Sequence, residues 1–573
     1  MGRPCQRDDP HLSTPTVGRA RAIAASIAAA LLCLSPLLSG QTRVAGAPRT
    51  GRASTPRLVV LLVVDQMRPD YVERFQGDWT GGLKRMLTTG AQFTNTAYPY
   101  ASTFTCAGHA TIATGAFPYV HGIFQNTWFD RERGELIPCT RDGSATAVVY
   151  GGTGRHDGPG LLRATTFSDA LRTQRGARVV SLSLKARSAI MMAGHGGEAV
   201  TWLTESGDGW QTSTAYAREP VSAVQAYLTR HPREADAAAI WERLLPLGRY
   251  PESDDASDEA PPPGWTRTFP HPLAGEPGTG PGRFRDLWQR SPWANAYLGR
   301  MAASLAESWR LGTGDSTDML AVSFSSTDLL AHQFGPHSQE VRDMYARLDA
   351  TVGELFARLD RLVGPRGYVV ALTADHGVAD IPEQARALGL DAGRVSAGAI
   401  REAIEALMAK AFGAGHYVAR VNAGEIYFHA GVLDQLRRSP AVFDAIATRL
   451  REWPGVARVF RPEEIAGQTS SRDPLVRAFA LSYVPDRSGD LLFLTKPGWI
   501  LSTSGTTHGS AHPADQRVPL LLMGSGIRRG RFAEAATPAD IAPTLARLIG
   551  IHFPRGDGRP LTAALATEAS PSR

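Results

Sequence analysis

This chain lacks a strong excess of charge of either sign. Its formal net charge is +6 over 573 residues, and residues 1–46, which hold five Arg and two Asp, contribute +3 of that charge. The rest of the chain carries the remaining +3 and is therefore near neutral for its size. That balance argues against nucleic acid as an obligate partner.

The chain also has no internal repeat, and its most apolar segment lies near the N-terminus. The run Ala22–Leu34 is broken by Pro36 and followed by small residues, and four arginines precede it: Arg3, Arg7, Arg19 and Arg21. This pattern is typical of a secretory signal peptide, so we predict that residues 1–47 are a signal peptide and that the protein is periplasmic or secreted. An uncleaved anchor is the alternative. No later segment is apolar enough for a stable membrane span.

Cysteine is scarce, with four residues in the whole chain. Cys5 and Cys33 lie in the predicted leader, which leaves Cys106 and Cys139. In an oxidising compartment these two can pair, and we hypothesise a Cys106–Cys139 disulfide. The alternative is two free thiols, with Cys106 packed as a small hydrophobic residue.

Asp and His residues follow several short, continuous apolar runs. Such runs are typical of strands that are buried on both faces, as in a parallel sheet. Because ligands of open α/β sheets bind beyond the carboxyl ends of the strands, we expect these side chains to converge on one crevice. The runs and the residues after them are Leu58–Val64 with Asp65, Met319–Phe324 with Asp328 and His332, and Tyr368–Leu372 with Asp375 and His376. His508, in the segment Gly505–Ser510, completes the set.

The spacings of these residues suit metal binding. Asp328 and His332 are four residues apart, so one helical turn places them on one face. Asp375 and His376 are adjacent and can share a site only where the strand turns into a loop, a turn that we expect Gly377 to permit. Three Asp and three His suffice for two Zn²⁺ ions with three protein ligands each, although Mn²⁺, Fe or Ca²⁺ could also use such donors. A single Asp or His of this kind is more often a cap, an ion pair or a structural residue.

Thr105 opens a predicted helix of small residues that could pack closely against a sheet. In the first helical turn, free N–H groups and the helix dipole favour an anion or a hydroxyl that loses its proton. The alternative is that Thr105 only caps the helix.

Lys185 and Arg187 follow the predicted strand Arg178–Leu184. In an extended chain, residues two apart lie on the same face, so both could reach one phosphoryl group. Two solvated basic residues are the ordinary alternative.

Together these features predict an α/β fold, with a mostly parallel sheet between layers of helices and two inserted cap regions. We assign the core to residues 48–204, 316–380 and 501–563. Residues 205–315, rich in Trp and with a Gly/Pro-rich loop, are a predicted cap insertion. Residues 381–500 are a predicted α+β lobe, and residues 564–573 a loose tail.

The chain resembles the alkaline phosphatase superfamily, in particular its bacterial branch with a Thr nucleophile and a Lys-x-Arg phosphate clamp. The resemblance spans about residues 58 to 550. The stretches that carry it are Val63–Gln66, Thr105–His109, His121–Asn126, Lys185–Arg187, Thr327–His332, Thr373–Gly377 and Thr507–Ser510.

The resemblance implies a two-metal phosphatase that acts on phosphate-ester small molecules. Asp65, Asp375 and His376 would hold one zinc ion beside Thr105, which would also coordinate it. Asp328, His332 and His508 would hold the second. Thr105 would form a covalent phosphothreonine, while Asn126, Lys185 and Arg187 would bind the other phosphoryl oxygens.

Two other functions remain open at this point. A phosphodiesterase or nucleotide pyrophosphatase of the same superfamily would share all six metal ligands, but would need an apolar pocket in place of the Lys/Arg clamp. A secreted metal-binding protein without catalysis would bind zinc and hydrolyse no phosphate ester. A sulfatase is excluded because Cys106 is followed by Ala107, Gly108, His109 and Ala110 rather than by the sulfatase pattern Cys-x-Pro-x-Arg.

Overall fold

The computed structural model describes residues 55–275 and 281–566. The predicted signal peptide and most of the predicted C-terminal tail lie outside these residues. No helix among the described residues is both long enough and apolar enough to span a membrane.

A ten-stranded sheet forms the centre of the fold, in the order β10-β2-β9-β8-β1-β7-β4-β5-β6-β3. The strands are β1 (Leu58–Val64), β2 (Ala91–Thr96), β3 (Ala147–Val149), β4 (Val179–Ser183), β5 (Ala199–Leu203), β6 (Trp210–Ser213), β7 (Asp318–Phe324), β8 (Tyr368–Thr373), β9 (Leu520–Gly524) and β10 (Gly530–Ala536). The five central strands β8, β1, β7, β4 and β5 are parallel, and antiparallel pairing begins at β9 on one side and β6 on the other. The predicted α/β class with a mostly parallel sheet is therefore confirmed.

Strand β1 is buried along its whole length because helices cover both faces of the sheet. Leu58, Val60 and Leu62 pack into a hydrophobic cluster on one face. The alternate residues of the strand, such as Val59 and Leu61, pack into a second cluster on the other face. This two-sided burial explains why β1 is a continuous apolar run rather than an alternating one.

Six helices matter most for the site and the core. They are α1 (Thr105–Thr114), α2 (Ala186–Ala193), α3 (Pro292–Ser308), α4 (Ser326–Phe334), α5 (Gln339–Val363) and α6 (Ile541–Ile549). Ser338 caps α5 by accepting a hydrogen bond from the N–H of Val341, and the apolar stripe of α5 packs into the first cluster. The α6 helix packs into the second cluster.

The interval 205–315 is closely joined to the central sheet. Strand β6 pairs within that sheet, and α3 packs in the same cluster as β1 and β7. Smaller elements complete the interval, namely Ser222–Arg230, Arg233–Asp236, Ile240–Trp241, Leu247–Arg249, His271–Pro272 and Pro281–Arg290. The boundaries predicted for this insertion stay a prediction.

The interval 381–500 contains a separate four-stranded antiparallel sheet with its own hydrophobic cluster. Its strands are Val418–Asn422, Glu425–Phe428, Val456–Phe460 and Leu491–Thr495, and its longer helices are Ala397–Phe412 and Pro440–Arg451. The first two of these strands form a hairpin, in which Ala423 and Gly424 make the turn at φ values of 47° and 83°.

Candidate active site

Three carboxylates meet at the carboxyl edge of the central sheet. Asp65 directly follows β1, Asp375 lies two residues beyond β8, and Asp328 lies in the first turn of α4, which follows β7. The parallel registers align these strand ends, since Val64 pairs with Phe324 and Val63 with Thr373. All three Asp side chains are buried.

The histidines complete two overlapping groups of potential metal ligands. In each group the ligand atoms lie within 4.8 Å of one another, and the groups are Asp65, Asp375 and His376, and Asp328, His376 and His508. His332 belongs to neither group, but its Nε2 lies 3.2 Å from Asp328 Oδ1. The Nε2 of His508 lies 3.7 Å from the same oxygen, so the residues predicted as the second ligand set lie together.

A backbone carbonyl orients each of the three histidines of the site, His332, His376 and His508. His332 Nδ1 lies 2.8 Å from the carbonyl oxygen of Thr506, His508 Nδ1 lies 2.8 Å from that of Thr103, and His376 Nδ1 lies 2.9 Å from that of Gly377. Only a protonated Nδ1 can donate to these oxygens. The lone pair of each Nε2 therefore faces the carboxylates, which is the arrangement that metal-binding histidines use.

Buried atoms without partners fit a cation at this place. Asp65 Oδ1 and Asp375 Oδ2 accept no hydrogen bond from any described residue, although both side chains are fully buried. His109 Nδ1 lies 3.3 Å from Asp375 Oδ2, but it is closer, at 2.8 Å, to the carbonyl oxygen of Thr105. An ionised carboxylate is costly to bury without a partner, and a divalent cation would supply one. Imidazole nitrogens with carboxylate oxygens form a donor set that suits Zn²⁺.

The charges of the site act strongly on one another. Burial, together with the nearby carboxylate of Asp375, raises the pKa of Asp65 well above its usual value, against the lowering effect of Lys185. Burial also lowers the pKa of His508 well below its usual value, and His376 and His332 lower it further. His508 is therefore neutral near pH 7, as a metal ligand must be.

Thr105 is the first residue of α1, with its side chain in the same cluster. Its Oγ1 lies 3.3 Å from His376 Nε2, and the residue is buried. The N-cap position belongs to Phe104, which has an extended backbone and makes no side-chain cap. The alternative reading of Thr105 as an N-cap is therefore wrong.

Close packing holds α1 against the Asp375 loop. A Cβ atom on Gly108 would lie 2.1 Å from the carbonyl oxygen of Asp375, so only glycine fits there. Gly377 has a similar role, because a Cβ atom there would lie 2.1 Å from the carbonyl oxygen of Ala514. Its function is this close approach to another segment rather than a positive φ, which corrects the expectation that its conformational freedom makes the turn.

The ammonium group of Lys185 lies between the carboxylates of Asp65 and Asp328. Its Nζ is 2.6 Å from Asp65 Oδ2 and 2.5 Å from Asp328 Oδ2. Burial alone would lower the pKa of Lys185, but the charges of Asp328 and Asp65 outweigh burial and raise it. The ammonium group therefore stays charged.

The predicted extended conformation of Lys185–Arg187 is wrong. Strand β4 ends at Ser183 and α2 begins at Ala186, so Lys185 is the N-cap residue and Arg187 lies in the first helical turn. Arg187 is still close enough for its charge to act on the pKa of Lys185. Its buried Nε has no hydrogen-bond partner among the described residues.

Asn126 lies beside the first turn of α1. Its Oδ1 accepts a hydrogen bond of 2.9 Å from the N–H of Cys106, the residue after Thr105. Cys106 and Cys139 form a disulfide, which confirms the hypothesised pairing.

Sequence reasoning missed two residues that help to build this site. Gln66 adopts a φ of 67°, donates its backbone N–H to Asp375 Oδ1 and donates its Nε2 to Asp328 Oδ1. Asn422, in the 381–500 interval, donates to Gln125 Oε1 and to the carbonyl of Thr127, on either side of Asn126. Neither residue type carries a signal for such a role in the sequence.

Three known proteins resemble the chain over most of its length. Alkaline phosphatase PafA of Elizabethkingia meningoseptica is 35% identical over 91% of this chain and 96% of its own. A protein of Myroides odoratus named calcium-transporting ATPase is 32% identical over 89% and 95% of the two chains. Alkaline phosphatase PhoV of Synechococcus elongatus is 30% identical over 89% and 93%.

Solved structures of PafA match the fold. The wild-type structure superposes with a TM-score of 0.83 at 33% identity, covering 90% of this chain and all of that one. A second PafA structure, in which a threonine, an asparagine, a lysine and an arginine are substituted, matches equally well.

A sequence model of one family matches most of the chain. That family is described as type I phosphodiesterase / nucleotide pyrophosphatase, and the match covers residues 59–515. The matched span includes every one of the candidate site residues. The chain therefore belongs to the type I phosphodiesterase / nucleotide pyrophosphatase family of the alkaline phosphatase superfamily.

Proposed function

We propose that this protein is an alkaline phosphatase-type hydrolase of phosphate monoesters. The observation that carries the proposal is the placement of Thr105, at a helix N-terminus, 3.3 Å from the Nε2 of His376 within a cluster of three Asp and three His. Relatives that match along most of the chain and are named alkaline phosphatase support it.

The metal ligands fall into two sets. Asp65, Asp375 and His376 would hold one zinc ion, which Thr105 would also coordinate. A second zinc ion would be held by Asp328, His332 and His508. Bound there, zinc supplies Lewis acidity to phosphoryl oxygens and lowers the pKa of a coordinated hydroxyl or water.

Thr105 is the proposed nucleophile. Its hydroxyl loses a proton and Oγ1 attacks phosphorus. The bond from phosphorus to the leaving oxygen breaks, that oxygen takes up a proton to leave as the alcohol, and a phosphothreonine forms. A water molecule then attacks the phosphothreonine, which releases phosphate and restores the Thr105 hydroxyl. The free N–H groups of the first turn of α1 favour the negative charge that gathers here.

Asn126, Lys185 and Arg187 are the proposed ligands of the other phosphoryl oxygens. Their support is geometric for Asn126 and Lys185, which border the Thr105 turn and the carboxylates. In the substituted PafA, the threonine and asparagine are 21 positions apart and the lysine and arginine two apart. Thr105 and Asn126, and Lys185 and Arg187, have the same separations.

The family description favours one competing activity, the hydrolysis of phosphodiesters or nucleotide pyrophosphates. The positive charge of Lys185 and Arg187 favours hydrolysis of a phosphate monoester over that of a diester. A monoester dianion carries more negative charge than a diester and has no second organic group where Lys185 and Arg187 reach. A cationic clamp therefore stabilises the monoester more strongly.

Export to the periplasm or the medium is part of the proposal. The leader-like residues 1–47 support it, and so does the Cys106–Cys139 disulfide, since such bonds persist in oxidising compartments. The division into a core with insertions at 205–315 and 381–500 is likewise proposed, with the insertions shaping substrate choice.

Hydrolysis of matched substrates by the purified chain tests the function. An aryl phosphate monoester and its diester would be assayed with zinc and with a chelator, and ATP would be included because one relative is named an ATPase. We expect chelator-sensitive hydrolysis that favours the monoester. Faster diester turnover would support the phosphodiesterase alternative, and zinc binding without turnover would support a non-catalytic metal-binding protein.

A further inference from the structure

Both cysteines of the disulfide donate a backbone hydrogen bond to Asn126. The backbone N–H of Cys106 donates to Asn126 Oδ1 over 2.9 Å, and the backbone N–H of Cys139 donates to the Asn126 carbonyl oxygen over 2.9 Å. The disulfide joins the same two cysteines. Two hydrogen bonds and one covalent bond thus close a ring through Asn126.

The ring fixes which way the Asn126 amide faces. A backbone N–H can donate only to the oxygen, so Oδ1 must point at Cys106 and Nδ2 must point away from it. No described residue accepts a hydrogen bond from this Nδ2. It is therefore free to donate to a ligand beside Thr105, the neighbour of Cys106.

A short hairpin brings Cys139 opposite Asn126. Strands Thr127–Asp130 and Glu135–Pro138 are antiparallel, with Thr127 paired to Pro138 at the open end. Asn126 and Cys139 are the next residues outward on each strand. The disulfide is the covalent link that ties this end of the hairpin to α1.

The linked residues are well packed. Cys106 and Cys139 are 0% and 1% exposed, and they belong to a hydrophobic cluster that includes Phe124, Trp128 and Trp202. Cys106 also lies in α1, which Gly108 holds against the Asp375 loop. Any shift of the hairpin end relative to α1 therefore moves Asn126 relative to Thr105.

We propose that the Cys106–Cys139 disulfide is a positioning element for Asn126. It holds the base of the hairpin against the first turn of α1 so that Nδ2 of Asn126 faces the phosphoryl group. The proposal rests on the proposed function in one respect, that Asn126 binds a phosphoryl oxygen. It adds that the oxidation state of these two cysteines sets catalytic efficiency, apart from any effect on stability.

A double-mutant cycle tests this role. The four proteins are the wild type, the Cys106→Ser/Cys139→Ser variant, Asn126→Ala, and the variant with all three substitutions. Removing one well-placed donor costs about 10²- to 10³-fold in rate, and we expect a comparable loss of kcat/KM for the cysteine pair. In the Asn126→Ala background, we expect removal of the disulfide to cost less than about threefold, because residues that act as a unit are not additive.

Two controls separate positioning from folding. Gly134→Ala strains the opposite end of the same hairpin, where φ is 69°, and should lower the unfolding temperature while leaving kcat/KM close to that of the wild type. If the cysteine variant does not fold, the wild type is reduced with a phosphine, which is not a thiol ligand for zinc, and is assayed before and after reoxidation. We expect kcat/KM to recover fully on reoxidation.

Binding of inorganic phosphate, measured by calorimetry, separates this proposal from the proposed function. If the wild type binds phosphate but hydrolyses no monoester, the function is wrong, while weaker binding by the cysteine variant still supports positioning. Wild-type kcat/KM and phosphate affinity in the cysteine variant would overturn the proposal. So would a loss that is fully additive with Asn126→Ala, or a wild type that binds no phosphate.

Discussion

The side-chain amide of Gln66 donates from Nε2 to Asp328 Oδ1 over 2.7 Å, while its backbone N–H donates to Asp375 Oδ1 over 3.1 Å. One residue thus contacts a carboxylate from each proposed metal-ligand set. It does so at a φ of 67°, a conformation that is strained for glutamine. Hydrogen bonds of this kind, from a residue that does not itself bind the metal, orient the metal ligands.

We predict that Gln66→Gly weakens metal binding by about 10- to 100-fold, the usual cost of losing a partner of a metal ligand. Glycine accepts the positive φ and keeps the N–H, so only the side-chain amide is lost. Metal content after equilibration with graded chelator concentrations measures the effect. Ala423→Gly relieves a positive φ of 47° in the 381–500 lobe and should leave metal affinity unchanged. Equal metal affinity in both variants would contradict the role of Gln66.

Gly108→Ala should lower both stability and activity. The added Cβ would approach the Asp375 carbonyl oxygen to 2.1 Å, so α1 or the Asp375 loop must move and Thr105 must shift relative to His376. Overpacking of this kind typically costs about 1–3 kcal/mol of unfolding free energy. Gly143→Ala is the matched control, since a Cβ there meets nothing within 4 Å. Denaturant unfolding and monoester turnover of the two variants would be compared, and equal behaviour would refute the close packing.

Arg187→Ala should reduce monoester hydrolysis far more than diester hydrolysis. In the proposed site the guanidinium would offer its charge to the dianionic phosphoryl group, so we expect a loss of about 10²-fold or more in kcat/KM for the monoester. Arg218→Ala, at an exposed residue, should change neither rate. Steady-state assays with an aryl monoester and the matched diester give the ratio. Equal losses for the two substrates would assign Arg187 a purely structural role.

Much of the sheet and the clustering of the candidate site follow from the sequence, because β1, β7 and β8 are buried on both faces and are therefore continuous apolar runs. Parallel strands end at one edge, so Asp65, Asp328 and Asp375 had to meet. The four-residue spacing of Asp328 and His332 likewise required a helical turn, which α4 supplies.

Other features depend on tertiary contacts that no local pattern encodes. The start of α2 at Ala186 changes the geometry of Lys185 and Arg187, and the strand before them does not reveal where the chain turns. The role of Gly377 is set by Ala514, which is distant in sequence. Gln66 and Asn422 act through long-range hydrogen bonds, and their residue types fit many other roles.

Stability should depend on pH through Glu425. This residue is buried in the 381–500 lobe, and burial raises its pKa to about 7. The folded protein therefore keeps a proton that the unfolded chain loses near its ordinary pKa of 4.5, so the free energy of unfolding falls as pH rises between these values.

Glu425→Gln should remove this loss, so its stability relative to the wild type should rise between pH 5 and pH 8 by up to about 3 kcal/mol. Denaturant unfolding at several pH values measures the difference. Glu402→Gln, at an exposed position on helix Ala397–Phe412, is the control and should show no such trend. A difference between Glu425→Gln and the wild type that is independent of pH would contradict a raised pKa.

Trapping the phosphoryl group on Thr105 tests the account most directly. The zinc-loaded protein would be mixed with an aryl phosphate monoester and quenched in acid, and its peptides would be analysed by mass. We expect one phosphoryl group on the peptide that contains Thr105, and a fall in kcat of at least about a thousandfold in Thr105→Ala, with Thr105→Ser retaining activity. A phosphoryl group on another residue, or wild-type turnover by Thr105→Ala, would contradict the proposed nucleophile.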